Sequence, residues 1–208
     1  MGHRFAELAF TPSVRAVQEA MGSRAAYARM EAGPDHHDAL GPDEAGFIAA
    51  RDSFYLASVG ETGWPYVQHR GGPPGFVRVL GPRTIGFADY RGNRQYVTVG
   101  NLAHDDRVAL FFMDYPARTR LKLLGHARRV GPEDPALLAA LAPSPAAARV
   151  ERAFVVQVAA FDWNCSQHIT PRWTAAEVEA AAAPLRARIE ELERRLADAL
   201  AAGEPGRR

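Results

Sequence analysis

Between Ser53 and Phe161 the chain repeats one device: a short run of alternating or wholly apolar residues, then a few turn-forming residues, then another run. Connections this short join antiparallel neighbours, because a parallel pair needs a crossover of a dozen residues or more. That excludes a βαβ array. Ser53 to Val59 is the first run, and Gly60-Glu61-Thr62-Gly63 turns it into Trp64 to Arg70. Gly71-Gly72-Pro73-Pro74-Gly75 then interrupts the sheet. Phe76 to Leu80 and Thr84 to Ala88 follow, separated by Gly81-Pro82. Arg107 to Met113 is apolar nearly throughout, and Arg120 to Val130 alternates cations with apolar residues. Phe154 to Phe161 is the last run. The expectation is a mainly β fold of about six antiparallel strands with flanking helices, the sheet closing into a small barrel that hides its edges.

Helices flank this sheet. Thr11 caps and Pro12 opens a helix over 11–31, with Val14, Val17, Met21 and Ala25 on one stripe, and Gly33-Pro34 stops it. Short helices are expected from Asp43 to about Arg51, from Tyr96 to Asp106 and over 133–142. At the far end Thr174 and Glu177 form a capping box, and Pro184 divides the helix that follows. Leu185, Ile189, Leu192, Leu196 and Leu200 make a narrow apolar seam beside Arg186–Glu190, Glu190–Arg194 and Glu191–Arg195 pairs. That seam packs either on its own barrel or on a second subunit as a brief coiled coil. The organisation read from this is an N-terminal helix and loop (1–41), a barrel (42–173), an amphipathic helix (174–202) and a disordered tail (203–208).

Composition removes whole classes. A net charge of +1 supports neither a nucleic-acid-coating surface nor an acidic one, and no segment is apolar enough for a membrane span. One cysteine, Cys165, cannot build a disulfide framework and suits a reducing compartment. The N-terminus lacks the apolar core of a signal peptide. These features predict a cytoplasmic protein, and heavy Ala, Arg and Pro usage is that of a GC-rich bacterial genome.

The chemistry concentrates in three places. In Trp64–Arg70, Tyr66, Gln68 and Arg70 share one strand face while Val67 and His69 share the other. With Gly71 and the Asp89-Tyr-Arg-Gly-Asn-Arg turn, these polar groups suit a flat aromatic ligand with a phosphate tail. Asn93, Arg94 and Gln95 converge on that corner, against the plainer reading that Arg70 and Arg94 are surface cations. Arg120, Lys122, His126 and Arg128 share one strand face; this is a solvated outer face, from which Arg120 alone could reach the pocket. The stretch from Asp162 to Trp173 is dense in donors and aromatics, and is either a lid over a flat ligand or a loop that anchors the last helix. Cys165 and His168 are too poorly specified to be a nucleophile pair, and His36-His37-Asp38 lacks the further ligands of a metal site. No phosphate loop, dinucleotide fingerprint or nucleophile elbow is present.

Taken in order, Val67-Gln-His-Arg-Gly-Gly-Pro-Pro-Gly-Phe, Asp89-Tyr-Arg-Gly-Asn-Arg, Gly100-Asn-Leu-Ala-His-Asp-Asp-Arg, Arg120-Leu-Lys-Leu-Leu-Gly-His-Ala and Trp163-Asn-Cys-Ser-Gln-His-Ile resemble the pyridoxamine 5'-phosphate oxidase-related FMN-binding split barrels. The resemblance implies a six-stranded Greek-key split barrel that pairs as a homodimer, with FMN at the subunit interface. By position, Gln68, His69, Arg70 and Gly71 line the flavin and Tyr90 sits beside it. Asn93, Arg94 and Gln95 stand where the family has a Ser-Arg-Lys phosphate clamp, so Gln95 replaces the lysine. Arg120 meets the ring edge, and Trp163, Asn164, Gln167 and His168 come from the partner subunit. The Trp- and Arg-rich ending that grips substrate in the true oxidases is missing. The implied function is therefore an FMN-dependent oxidoreductase acting on another small molecule. The alternatives are a non-catalytic flavin, deazaflavin or haem carrier and an interaction protein that recruits partners through its last helix.

Overall fold

The computed structural model describes residues 3–34, 36–142, 150–163 and 167–202. In chain order the helices are α1 (Arg4–Ala9), α2 (Pro12–Ala20), α3 (Arg24–Glu31), α4 (Pro42–Ala49), α5 (Val97–His104), α6 (Pro135–Leu141) and α7 (Ala175–Ala202). The strands are β1 (Ser53–Val59), β2 (Pro65–Gly71), β3 (Val77–Gly81), β4 (Thr84–Tyr90), β5 (Arg107–Asp114), β6 (Thr119–Val130) and β7 (Val150–Trp163). The expected disordered tail, 203–208, lies outside the described residues.

All strands join one antiparallel sheet in the order β2-β1-β5-β6-β7-β4-β3. The strand count corrects the expected six to seven, because every one of the seven runs read from the sequence enters the sheet. The sheet is also not closed, since its edges β2 and β3 share no ladder. Yet only residues 72–76 link those edges. Such a link spans about 20 Å when fully extended, whereas a flat sheet of this many strands is about 29 Å wide. The sheet must therefore curl until its edges approach, leaving a seam.

The concave side of the curl is the core. Phe54, on β1, meets Phe76, Phe87 and Phe112 with ring centroids 5.8, 5.0 and 4.9 Å away. Leu56, Leu110, Leu121, Leu123 and Phe154 complete it, all fully buried. Register between β6 and β7 shifts at Leu124/Gly125. A Cβ on Gly125 would lie 2.5 Å from the Gln157 carbonyl oxygen, so the irregularity requires glycine there.

Two local expectations change. The helix expected over 11–31 is two helices, because Gly22 takes φ +74 and ends α2. Arg24 ties the pair together through Gln18 Oε1 at 2.6 Å and through Glu31. The stripe does not become core: Val17 and Met21 are exposed. Among the described residues no helix is long and apolar enough to cross a membrane.

Candidate functional site

The seam is where polar groups gather. The β3–β4 ladder runs out at the pair Val77 and Phe87, so Asp89 and Tyr90 pair only with β7 and leave their other side open. Across the gap stands β2. Arg70, Gln68 and Tyr66 are the cross-strand partners of Phe54, Leu56 and Ser58 and therefore face inward with them. Arg70 Nη1 donates to Asp89 Oδ1 across the gap, and Arg152 Nε lies 3.4 Å from the second carboxylate oxygen. The Arg70 guanidinium also sits 5.4 Å from the Phe154 ring centroid. Burial pushes the Asp89 carboxyl above its ordinary range, and the two arginines only partly offset this.

Beyond β4 the chain turns tightly. Asn93 Oδ1 accepts the Gln95 N–H at 3.2 Å, and Arg94 and Tyr96 both take left-handed backbone, at φ 62 and 54. Arg94 Nε donates to the Tyr96 hydroxyl at 3.1 Å, which donates in turn to Glu151 at 3.1 Å. Arg152 holds Glu151 at 2.5 Å and keeps its pKa below the usual carboxylate range. Helix α5 starts here, and its first residues Val97, Thr98 and Val99 line the hollow with the N–H end of the helix. The Thr98 hydroxyl donates to Gln68 Oε1 at 3.0 Å.

The resulting groove holds about 280 Å³. Its lining carries the guanidiniums of Arg70 and Arg94 against the carboxylates of Asp89 and Glu151, and Arg91 and Arg152 stand behind the wall beside those carboxylates, an excess of two guanidiniums over the whole cluster. That excess matches a phosphate dianion. Two polar atoms at the groove are buried with no hydrogen-bond partner, the Tyr90 hydroxyl and Arg70 Nε. Burial raises the Tyr90 pKa, so the phenol stays protonated and able to donate.

A second cationic site lies on the opposite face of the same sheet. Tyr55 pairs with His69 and with Phe111, Phe111 pairs with Lys122, and Met113 pairs with Arg120, so these side chains all point outward. A pocket of about 290 Å³ forms there between Tyr55, Phe111, Tyr115, Arg120, His168 and Arg172. Among the described residues no carboxylate lines it. Its arginines rest on rings instead: Arg120 is 5.8 Å from the Phe111 centroid and Arg172 is 5.1 Å from that of Tyr115. Arg120 Nε is buried without a hydrogen-bond partner. Next to this pocket the outer face is an apolar hollow containing Ala57, Val67, Ala109 and Leu124.

The structure thus sorts the residues singled out from the sequence. Gln68, Arg70, Tyr90, Asn93, Arg94 and Gln95 line one groove, and Arg70 and Arg94 share it. His69 does not join them, because strand alternation turns it outward against Tyr55, with ring centroids 5.6 Å apart. Gly71 closes β2 opposite Ser53 and does not line the groove. Arg120 and His168 meet in the outer pocket, while Gln167 lies in an exposed turn. Trp163 donates its indole N–H to Glu44 Oε1 at 2.7 Å and packs edge-on against Phe47, so within its own chain it anchors α4. Asn164 and Cys165 lie outside the described residues. Of the four basic residues singled out on β6, two have acidic partners: Lys122 pairs with Asp162 at 2.7 Å and His126 Nδ1 lies 2.8 Å from Asp106 Oδ1. Sequence reasoning missed Asp89 as the partner of Arg70, and it missed Tyr96, Thr98, Glu151 and Arg152. Asp89 and Tyr96 flank the turn that was singled out, but nothing local marks Glu151 and Arg152, which reach the groove through β4–β7 pairing.

Residues 41–164, more than half of the chain, match the family model described as pyridoxamine 5'-phosphate oxidase. No curated protein sequence matches. Among solved structures, a putative pyridoxamine 5'-phosphate oxidase from Lactobacillus delbrueckii is 21% identical over 60% of this chain and 94% of its own, with a TM-score of 0.48. An FMN-binding protein from Syntrophomonas wolfei is 11% identical over 74% and 97%, with a TM-score of 0.42. A protein related to general stress protein 26, from Clostridium acetobutylicum, is 13% identical over 65% and 94%, with a TM-score of 0.44.

Proposed function

The chain belongs to the pyridoxamine 5'-phosphate oxidase family, and from that premise we propose that it is an FMN-binding flavoprotein, an oxidoreductase whose cofactor slot is shared between two copies of the chain. The observation that carries this is the back-to-back placement of the two cationic sites. Tyr66, Gln68 and Arg70 point into the seam, while Tyr55, Phe111 and Arg120 point out of the same sheet. One protomer cannot wrap a single ligand with both faces of one sheet. A second copy, presenting its outer face at the rim of the first copy's groove, can.

The groove fits the phosphate end. The N-terminus of α5 and the exposed Arg94, with Arg91 and Arg152 behind the wall beside its carboxylates, suit a dianion. The unpartnered Tyr90 hydroxyl and Arg70 Nε supply donors that lack a partner within the chain. The outer pocket fits the ring end: aromatic walls stack a flat system, and Arg120 faces its electron-rich edge. The apolar outer face around Val67, which is 61% exposed, supports its covering by a second copy. A seam left by a curled antiparallel sheet supports the Greek-key split barrel as the finer description of the fold. The single cysteine supports a reducing, cytoplasmic setting.

When bound, FMN supplies hydride or electron transfer. The protein's own part is placement and charge. Arg94 and the start of α5 hold the phosphate, Gln68 and Thr98 fix the groove wall, and a cation at the ring edge stabilises negative charge that develops there. His168 stands beside Arg120 in the lining of the outer pocket.

The test is subunit complementation. Arg94→Ala and Arg120→Ala are purified separately and as a co-expressed mixed dimer, and bound flavin is read from its visible absorbance. A shared slot predicts that each variant alone loses flavin while the mixed dimer regains one site per dimer, since one of its slots carries both substitutions and the other carries none. A mixed dimer as empty as its parents would overturn the shared slot. A colourless wild type that ignores added FMN would overturn flavin binding itself. Turnover with a nicotinamide donor and an acceptor distinguishes the oxidoreductase from a carrier.

A further inference from the structure

Helix α7 runs for 28 residues, and none of its described side chains is buried. Leu185, Ile189, Leu192 and Leu196 are 67, 54, 47 and 61% exposed. A lone amphipathic helix gains its stability by burying its apolar stripe, and this stripe is left largely exposed. The spacing of the stripe says what fits it. Val178, Ala182, Leu185, Ile189, Leu192, Leu196 and Ala199 alternate steps of four and three, the hydrophobic repeat of a coiled coil. Ala182, Ile189 and Leu196 occupy the a positions and Val178, Leu185, Leu192 and Ala199 the d positions. A β-branched residue at a with leucine at d favours two strands. Pro184 falls on the outward side of the repeat, away from the seam.

Charge chooses both partner and direction. The g positions hold Ala181, Arg188 and Arg195, and the e positions hold Glu179, Arg186, Glu193 and Leu200. In a parallel pair each g residue meets the e residue five places further along the other helix. Two copies of α7 then bring Arg188 against Glu193 twice, with no like-charged pair. In an antiparallel pair at full overlap, Arg186 meets Glu193 but Arg188 meets Arg195, and the repulsion cancels the gain. Within its own helix Arg188 bonds Glu191 at 2.6 Å, while Glu193 has no ion-pair partner among the described residues. Glu193 therefore faces the flank of the seam with its charge available.

We infer that α7 pairs in parallel and in register with α7 of a second copy of this chain, forming a two-stranded coiled coil of about three turns of the repeat. The pairing rests on the helix alone and stands apart from the cofactor reading. It turns the last 28 residues into a clasp that holds the two barrels at high effective concentration.

Cysteine cross-linking of the full chain tests this. In a Cys165→Ser background, Leu185→Cys, Leu196→Cys and Ala187→Cys are oxidised at micromolar concentration and resolved on non-reducing gels. The expected result is covalent dimer at 185 and at 196 at least about tenfold faster than at the outward position 187. Arg188→Glu in the Leu185→Cys protein should slow that reaction several-fold, and adding Glu193→Arg should restore it. Cross-linking only when the Leu185→Cys and Leu196→Cys proteins are mixed would overturn the parallel arrangement. Equal, slow reaction at all three positions would overturn the pairing and leave α7 to its own barrel or to another protein. All three positions are exposed, and circular dichroism of each variant checks its helix content directly.

Discussion

The seam groove and the outer pocket are both built around arginine on the same few strands, yet they hold their charge differently. In the groove, Arg70 and Arg152 flank the buried Asp89, Arg94 leans on Tyr96, and Glu151 binds both Tyr96 and Arg152. The cations are fixed before any ligand arrives. In the outer pocket, Arg120 and Arg172 lie over Phe111 and Tyr115 with no carboxylate beside them. Under the proposed function the groove acts as a preorganised anion receptor, and the outer pocket as the part that a second copy completes.

That contrast can be broken in order of effect. The largest is expected from Arg70→Ala, which strands a buried carboxylate with Arg152 alone at 3.4 Å. Unfolding in urea should show a loss of about 3 kcal/mol. Arg120→Ala strands no carboxylate and should cost less than about 1 kcal/mol in the same assay. The Arg70→Ala loss should also depend on pH. Asp89 already titrates above its ordinary range, and without Arg70 it rises further. A carboxyl whose folded pKa exceeds its unfolded value of about 3.9 contributes stability fully below that value and loses it as pH rises through the folded one. The deficit should therefore shrink between neutral pH and about pH 4. A deficit that is the same at both would assign the loss to packing against Phe154 instead.

Arg94→Ala should leave the unfolding midpoint unchanged, because the side chain is exposed, and weaken FMN binding by about 10- to 100-fold. Flavin fluorescence quenching measures this, and an unaltered dissociation constant would remove the groove from cofactor binding. The smallest effect is expected from Tyr90→Phe. The lost hydroxyl has no hydrogen-bond partner among the described residues, so the unliganded protein should hold or gain up to about 1 kcal/mol, while FMN affinity falls about 3- to 10-fold. A clear loss of stability would mean that the hydroxyl is already bonded inside the protein.

Much of the fold is legible in the sequence because its signals are local. Period-two runs with glycine and proline turns mark the strands, and alternation along Tyr66–Arg70 already separates Gln68 and Arg70 from His69. The turn from Asp89 to Gln95 stands out by its glycine and its cations. The break at Gly22 is a lone glycine with no proline beside it, a weaker local signal than the Gly33-Pro34 stop. The strand β7 begins at Val150, not at Phe154, because Glu151 and Arg152 interrupt the apolar run and this stretch takes its place by pairing with the end of β4.

By itself, then, the sequence determined an antiparallel, turn-rich sheet, the facing of each side chain along its strand, and an amphipathic last helix, since all three are set by spacing within a few residues. Only the tertiary structure decided that the sheet stays open, that Arg70 meets Asp89 across the opening, and that Trp163 anchors α4 through Glu44. Those outcomes depend on which distant strands lie side by side, and burial and charge pairing between them are properties of the curled sheet that no local repeat encodes.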